Sequence, residues 1–111
     1  MGDKKQPSKD EPGRGGQTVL ERKSKTKQPR LFRVILHNDD YTTMEFVVWV
    51  LKGIFRKSES EAVGLMLNIH QKGQGIAGVY ARDIAETKTA QVEALAEEHQ
   101  MPLLCTCEPE D

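Results

Sequence analysis

LFRVILHNDDYTTMEFVVWVL, residues 31–51, has the pattern of a strand, a polar loop and the start of a helix in immediate succession. Residues 31–37 are mostly apolar or β-branched, which is typical of a short buried strand. The Asn-Asp-Asp sequence at residues 38–40 is a turn-forming cluster. This stretch therefore predicts a strand that runs directly into a polar loop.

The residues after this loop predict three helices and two further strands. Thr42 and Glu45 have capping-box spacing and Ser58 and Glu61 repeat it, so that each pair marks the start of a helix. The third helix is expected to bury a stripe formed by Ile84, Lys88, Val92, Leu95 and Ala96. The predicted elements are strands at residues 31–37, 75–81 and 103–107, and helices at about 43–56, from Ser58 to near Gly73, and at about 83–99.

The order β-α-α-β-α-β predicts an α+β fold, a small two-layer sandwich with a three-stranded antiparallel sheet packed on three helices. We expect residues 31–111 to form this single domain, because residues 1–30 contain few apolar side chains. Residues 1–30 carry nine Lys and Arg against four Asp and Glu, a net charge of 9 − 4 = +5. They are expected to form a flexible, disordered, basic N-terminal extension on an acidic domain.

Composition argues against several classes of protein. The chain contains neither the apolar run of a signal peptide nor about 18 consecutive apolar residues, so we expect a cytoplasmic protein without membrane contact. Cys105 and Cys107 are too close along one strand to bridge each other well, which favours a reducing compartment. The basic extension has no interleaved aromatic residues, so no nucleic acid partner is expected. No compact ligand motif indicates a metal or another cofactor.

Two polar places could carry function, namely residues 38–40 and His70. His70 shares a helical face with Met66 and Ile69. An Asn-Asp-Asp cluster between a strand and a helix is ordinarily turn and cap chemistry, and such a histidine is ordinarily structural. The pattern alone does not bring the two places together.

The segment VILHNDDYTTMEFV, residues 34–47, resembles the opening signature of the ClpS adaptor family. LMLNIH, GVY, AETK and PLLCT follow at residues 65–70, 78–80, 85–88 and 102–106, in the order and spacing of that family. The resemblance implies a non-enzymatic adaptor that binds proteins through destabilising N-terminal residues (Leu, Phe, Tyr or Trp). It also implies delivery of these proteins to a Clp AAA+ unfoldase and its peptidase.

The resemblance assigns three groups of residues. The α-amino group of the substrate would be bound by Asn38, Asp40 and His70, with Asp39 adding charge or a water-mediated contact. The side chain of the first residue would lie in a pocket of Leu36, Thr42, Met44, Val47, Met66, Ile69 and Leu103, in which Met44 has the family's gatekeeper position against β-branched residues. The N-terminal domain of a ClpA-type unfoldase would contact Asp83, Glu86, Thr87 and Lys88. The expected state is a monomer, whose apolar cavity is filled by ligand.

Two other functions stay open at this point. A Cys–His hydrolase would need Cys105 or Cys107 as a thiolate beside His70, whereas a central strand position usually buries a cysteine as a small hydrophobic residue. A generic interaction module, similar to the C-terminal domain of the ribosomal stalk protein, would bind partners without a free N-terminus. Acetylation of the ligand's amino group distinguishes this module from an adaptor.

Overall fold

The computed structural model describes residues 29–111, and the predicted element order β-α-α-β-α-β is confirmed within them. The elements are β1 (Leu31–His37), α1 (Met44–Gly53), α2 (Glu59–Lys72), β2 (Gln74–Ala81), α3 (Arg82–Glu98) and β3 (Leu104–Pro109). The expectation of a flexible extension falls almost entirely on residues 1–28, which lie outside the described residues. No helix of residues 29–111 is both long enough and apolar enough to span a bilayer.

The three strands form an antiparallel sheet in the order β2-β1-β3, so β1 is the central strand. Val34 pairs with Gly78 and Ile35 with Ile76, which leaves Ala77 as an extra residue in β2 at this irregularity. The expectation that the cysteines occupy a central strand is wrong, because β3 is an edge strand. Cys105 is nevertheless 2% exposed, since it belongs to the hydrophobic core.

The helices bury the core against one face of the sheet. Val34 and Leu36 of β1 and Val50 and Leu51 of α1 are fully buried. In α3 the predicted stripe is only partly correct: Val92 and Ala96 are buried and Leu95 packs against the core, but Ile84 is 48% exposed. Ala85 is buried in place of Ile84, because a helix that lies close to a sheet accommodates a small side chain at the point of contact.

The helix starts follow local capping chemistry, with one correction. Thr43 rather than Thr42 caps α1, and its Oγ1 accepts a hydrogen bond from Phe46 N–H at 3.1 Å. The capping box of α2 is confirmed, because Ser58 Oγ accepts from Glu61 N–H and Glu61 Oε1 accepts from Ser58 N–H. Helix α1 ends at Gly53, earlier than predicted.

Candidate functional site

A cleft of about 410 Å³ lies where the loop after β1 meets the start of α1 and the last turn of α2. Three segments that are separate in the sequence therefore contribute to one surface. The residues that line the cleft are Asn38, Asp39, Asp40, Thr42, Thr43, Met44, Glu45, Met66 and His70. All four residues predicted to bind an amino group are among them.

A backbone contact between the loop and α2 brings Asn38 close to the last turn that carries His70. Asn38 N–H donates to the carbonyl oxygen of Gly73 at 2.8 Å. Gly73 caps α2 in the left-handed conformation (φ 93°), which glycine adopts without steric cost, and its N–H donates to Ile69 O. The end of β1 is thus held against the C-terminal end of α2.

The carboxylate of Asp39 is used within its own loop. Its Oδ1 accepts from Tyr41 N–H at 3.1 Å, and its Oδ2 accepts from the Thr42 hydroxyl at 3.3 Å. The backbone closes the same turn, because Thr42 N–H donates to Asp39 O at 3.1 Å. Asp39 therefore fixes the shape of the loop and adds a negative charge to the cleft.

The side chains of Asn38, Asp40 and His70 make none of the side-chain hydrogen bonds found within residues 29–111. All three are exposed at the cleft. A carboxylate, an amide oxygen and a neutral imidazole nitrogen can each accept a hydrogen bond. Unengaged acceptors at one place in a cleft favour a ligand that supplies several donors.

The charge of the cleft favours a cationic ligand. Its lining contains the three carboxylates of Asp39, Asp40 and Glu45 but no lysine or arginine. Within residues 29–111, no group of three His, Cys, Asp or Glu side chains is arranged to hold a metal ion. His37, the last residue of β1, is already hydrogen-bonded through Nε2 to Thr106 Oγ1 at 2.8 Å. An organic cation such as an ammonium group matches this lining.

The seven predicted pocket residues fall into two sets. Thr42, Met44 and Met66 line the cleft, where Met44 is 44% exposed and Met66 is 9% exposed. The other four belong to the hydrophobic core and are at most 8% exposed, namely Leu36, Val47, Ile69 and Leu103. Met66 belongs to both the cleft lining and the core cluster, so it connects the two sets.

Two further lining residues, Thr43 and Glu45, were not predicted as site residues. Thr43 is the N-cap of α1, and Glu45 is the acidic residue of its first turn. In the sequence, both residues belong to the capping pattern, and this pattern predicts only the start of a helix. Both residues directly follow the loop that forms the cleft, at the start of α1.

The predicted unfoldase-facing residues lie at the start of α3. Asp83, Glu86 and Thr87 are exposed. Glu86 forms an ion pair with Arg82 at 3.1 Å, and the Thr87 hydroxyl donates to Asp83 O at 2.9 Å. Lys88 differs from them in being partly buried.

Lys88 connects α3 to the end of α1. Its Nζ donates to the carbonyl oxygen of Ile54 at 2.8 Å and lies 5.3 Å from the ring centre of Tyr80 and 5.9 Å from that of Phe55. An ammonium group at the C-terminal end of a helix is favourable because the carbonyl groups there carry partial negative charge. Lys88 therefore has a structural role of its own.

Burial raises the pKa of the Cys105 thiol to about 11, from a usual value of 9.0. The thiol is thus protonated at neutral pH and is a poor nucleophile. The folded thiol keeps its proton between pH 9 and 11 while the unfolded thiol loses it, so folding stability falls as the pH rises through this interval.

Between pH 9 and 11, we expect the free energy of unfolding to fall by about 2 kcal/mol more in the wild type than in Cys105→Val. Urea unfolding at a series of pH values measures this difference. Identical pH profiles for the wild type and Cys105→Val would contradict the prediction.

Comparison with known proteins identifies the family. The family model for the ATP-dependent Clp protease adaptor protein ClpS matches residues 27–106. The chain is 53% identical over 95 residues to the ATP-dependent Clp protease adapter protein ClpS of Desulfatibacillum aliphaticivorans, covering 86% of this chain and 91% of that protein. It is 56% identical over 99 residues to the protein of the same description from Deinococcus radiodurans, covering 89% of this chain and 88% of that one.

A solved structure agrees with these relatives. The structure of Agrobacterium tumefaciens ClpS2 bound to L-phenylalaninamide matches with a TM-score of 0.72 and 46% identity, covering 75% of this chain and all of that one. Similarity in sequence and in fold thus extends over the described domain. The chain belongs to the ClpS family of ATP-dependent Clp protease adaptor proteins.

Proposed function

We propose that this protein is an N-terminal recognition adaptor. It binds proteins that begin with Leu, Phe, Tyr or Trp and delivers them to a ClpA-type AAA+ unfoldase and its peptidase for degradation. Because an ATP-dependent protease works where ATP is available, the proposal places the protein in the cytoplasm. Residues 31–111 form the adaptor domain, and residues 1–30 form the extension that the unfoldase engages during delivery.

The observation that carries this proposal is the set of unengaged acceptors on Asn38, Asp40 and His70 at one negatively charged cleft. The α-ammonium group at a protein's N-terminus has three donors and a positive charge. An internal peptide group has one N–H and no charge. The cleft therefore favours a chain terminus over any internal segment, and the charge of Asp39 adds to this preference without requiring direct contact.

The apolar side chain of the first residue is proposed to enter beside Met44 and Met66. These two flexible thioethers adapt to both aliphatic and aromatic shapes. Leu36, Val47, Ile69 and Leu103 are proposed to form the floor of the pocket, because they are buried in the core cluster to which Met66 also belongs. Thr42 completes the rim of the pocket at the loop.

The ligand of the Agrobacterium tumefaciens relative supports this orientation. L-phenylalaninamide has a free α-amino group and a benzyl side chain, which are the two groups that the cleft is proposed to bind. Its carboxyl end is an amide, as in the first residue of a polypeptide. A peptide that begins with Phe is therefore the most direct probe for this protein.

The proposed unfoldase surface lies at the other end of the sheet from the cleft. Leu31, at the start of β1, pairs with Ala81, which directly precedes α3, whereas Asn38 follows the last residue of β1. A seven-residue strand separates these ends by about 20 Å. A substrate and an unfoldase can thus bind at the same time.

The same end of the sheet is where the described chain begins. Pro29 and Arg30 line a surface depression together with Asp83 and Glu86. The N-terminal extension therefore joins the domain beside the proposed unfoldase surface, which supports its role in delivery. On this surface Asp83, Glu86 and Thr87 are proposed as contacts, and Lys88 as a contact that also holds α1 against α3.

The test is a fluorescence-anisotropy titration of the protein with a labelled peptide that begins with Phe and with a twin that begins with Ile. We expect the Ile peptide to bind at least about tenfold more weakly, because a branched Cβ would crowd the side chain of Met44. Met44→Ala should reduce this difference. Equal binding of both peptides by the wild type would contradict the proposed pocket.

An N-acetylated Phe peptide, added to the same assay, separates one alternative from the adaptor. A generic interaction module would bind the peptide whether or not its amino group is free, and it has no observation of its own in its favour. A catalytic role for Cys105 is not proposed, because its thiol is protonated at neutral pH and it does not line the cleft. Sedimentation of the free protein tests the expected monomer.

A further inference from the structure

A second cleft, of about 460 Å³, runs between α1 and α2 directly beside the candidate site. Three residues line both clefts, namely Met44, Glu45 and Met66. The remaining lining residues of the second cleft are Val48, Trp49 and Lys52 of α1 and Glu59 and Val63 of α2. We call this second cleft the α1–α2 groove. It is continuous with the site that is proposed to bind the first residue of a substrate.

Trp49 gives the α1–α2 groove a large apolar wall. Its indole ring contacts His99 edge to face, with ring centres 5.1 Å apart, and lies 5.9 Å from the ring of Phe46. The indole is thus held in place, yet it remains 50% exposed. A fixed, half-exposed tryptophan is a typical anchor for an apolar ligand group.

The length of the α1–α2 groove matches a short extended peptide. From Met44 to Lys52, α1 rises about 12 Å, and an extended chain covers the same distance in three to four residues. Lys52 forms an ion pair with Glu59 at the far end. The groove therefore offers room for the residues that directly follow the first residue of a substrate.

We propose that the α1–α2 groove is a second specificity site that binds the side chain of the third residue of the substrate and prefers a large apolar one. In an extended chain, the side chains of residues 1 and 3 point to the same side and lie about 6.7 Å apart. This distance corresponds to between four and five residues of an α-helix. Counted from Met44, it reaches Val48 and Trp49.

This inference rests on the proposed function, since the first residue must be bound for the third to reach Trp49. The occupant is thus part of the same polypeptide, and its recognition requires no second binding event. An apolar side chain at the third residue would be removed from water and would pack against Val48, Trp49 and Val63. A small polar third residue would leave these side chains as they are in the free protein.

The experiment compares three labelled peptides of otherwise identical sequence, Phe-Ser-Leu, Phe-Leu-Ser and Phe-Ser-Ser at positions 1–3, with the full-length protein. We expect Phe-Ser-Leu to bind about fivefold more tightly than the other two, because half-burial of a leucine side chain has this magnitude. Since Trp49 is the only tryptophan of the chain, its emission should shift to shorter wavelength with unlabelled Phe-Ser-Leu and not with Phe-Ser-Ser.

Two variants assign the preference to the α1–α2 groove. Trp49→Ala and, on the opposite wall, Val63→Ser should each reduce the ratio of the Phe-Ser-Leu and Phe-Ser-Ser affinities towards one. Leu67→Ala is the matched control, because Leu67 is 43% exposed on α2 and does not line the groove. This control should retain the wild-type ratio.

The outcomes separate this inference from the proposed function. If no Phe peptide binds, the proposed function fails as well. If all three bind equally, or if Trp49→Ala retains the preference, only the second site is overturned. A shift of Trp49 emission with protein concentration alone would mean that a second copy of the chain occupies the α1–α2 groove, and it would also overturn the inference.

Discussion

Acetylation of the α-amino group of a Phe-initiated peptide is expected to weaken its binding about 100-fold or more. The acetyl group removes the positive charge and two of the three donors, so Asn38, Asp40 and His70 lose their hydrogen-bond partner. Hydrogen bonds to charged groups contribute about 1.5–3 kcal/mol each, and about 2.7 kcal/mol in total suffices for this effect. The bulk of the acetyl group adds to the loss.

The measurement is the dissociation constant by fluorescence anisotropy, with the acetylated peptide also tested as a competitor. A peptide acetylated on a lysine side chain far from its N-terminus is the control and should bind as tightly as the unmodified one. Asp40→Asn should weaken the binding of the unmodified peptide far more than the binding of the acetylated one. A loss of less than about threefold on acetylation would favour the generic interaction module.

Leu51→Ala is expected to lower the free energy of unfolding by about 3 kcal/mol. Leu51 is fully buried in the core cluster, and the neighbouring side chains can only partly fill the space that the substitution leaves. Because a domain of this size is stable by only about 5–10 kcal/mol, a substantial part of its stability would be lost. Urea unfolding followed by circular dichroism measures the change.

Ile84→Ala is the matched control for Leu51→Ala. The helical pattern predicted Ile84 on a buried face, but Ile84 is 48% exposed. Its replacement should therefore change the free energy of unfolding by less than about 1 kcal/mol. Equal losses of unfolding free energy for the two variants would contradict the burial of Leu51 and the exposure of Ile84.

The order of elements and most of the local chemistry could be predicted from the sequence. The β-branched run of β1, the capping box of Ser58 and Glu61, and Gly73 after α2 each act over a few residues. Such signals are local, so they are present in the amino-acid sequence itself. The choice between Thr42 and Thr43 as the cap of α1 could not be predicted in this way, because both hydroxyls are suitable. The loop closed by Asp39 decides which one is used.

The family resemblance identified seven of the nine residues that line the cleft, but their separate contributions required the structure. Asp39 and Asp40 are adjacent and chemically alike, yet only Asp39 has its carboxylate engaged by Tyr41 and Thr42. Lys88 likewise matched a surface motif, whereas its ammonium group contacts Ile54 and two aromatic rings. A single sequence does not show these partners, because they come from other elements.

By itself, the sequence determined which segments form strands and helices and, through the resemblance, predicted most of the residues that line the cleft. Only the tertiary structure decided that Asn38 meets the last turn of α2, that Ala85 is buried rather than Ile84, and that Trp49 lies beside the cleft. The physical reason is the range of the interactions. Capping and helical periodicity act within a few residues, whereas the cleft and the α1–α2 groove depend on how the helices pack against the sheet and against each other.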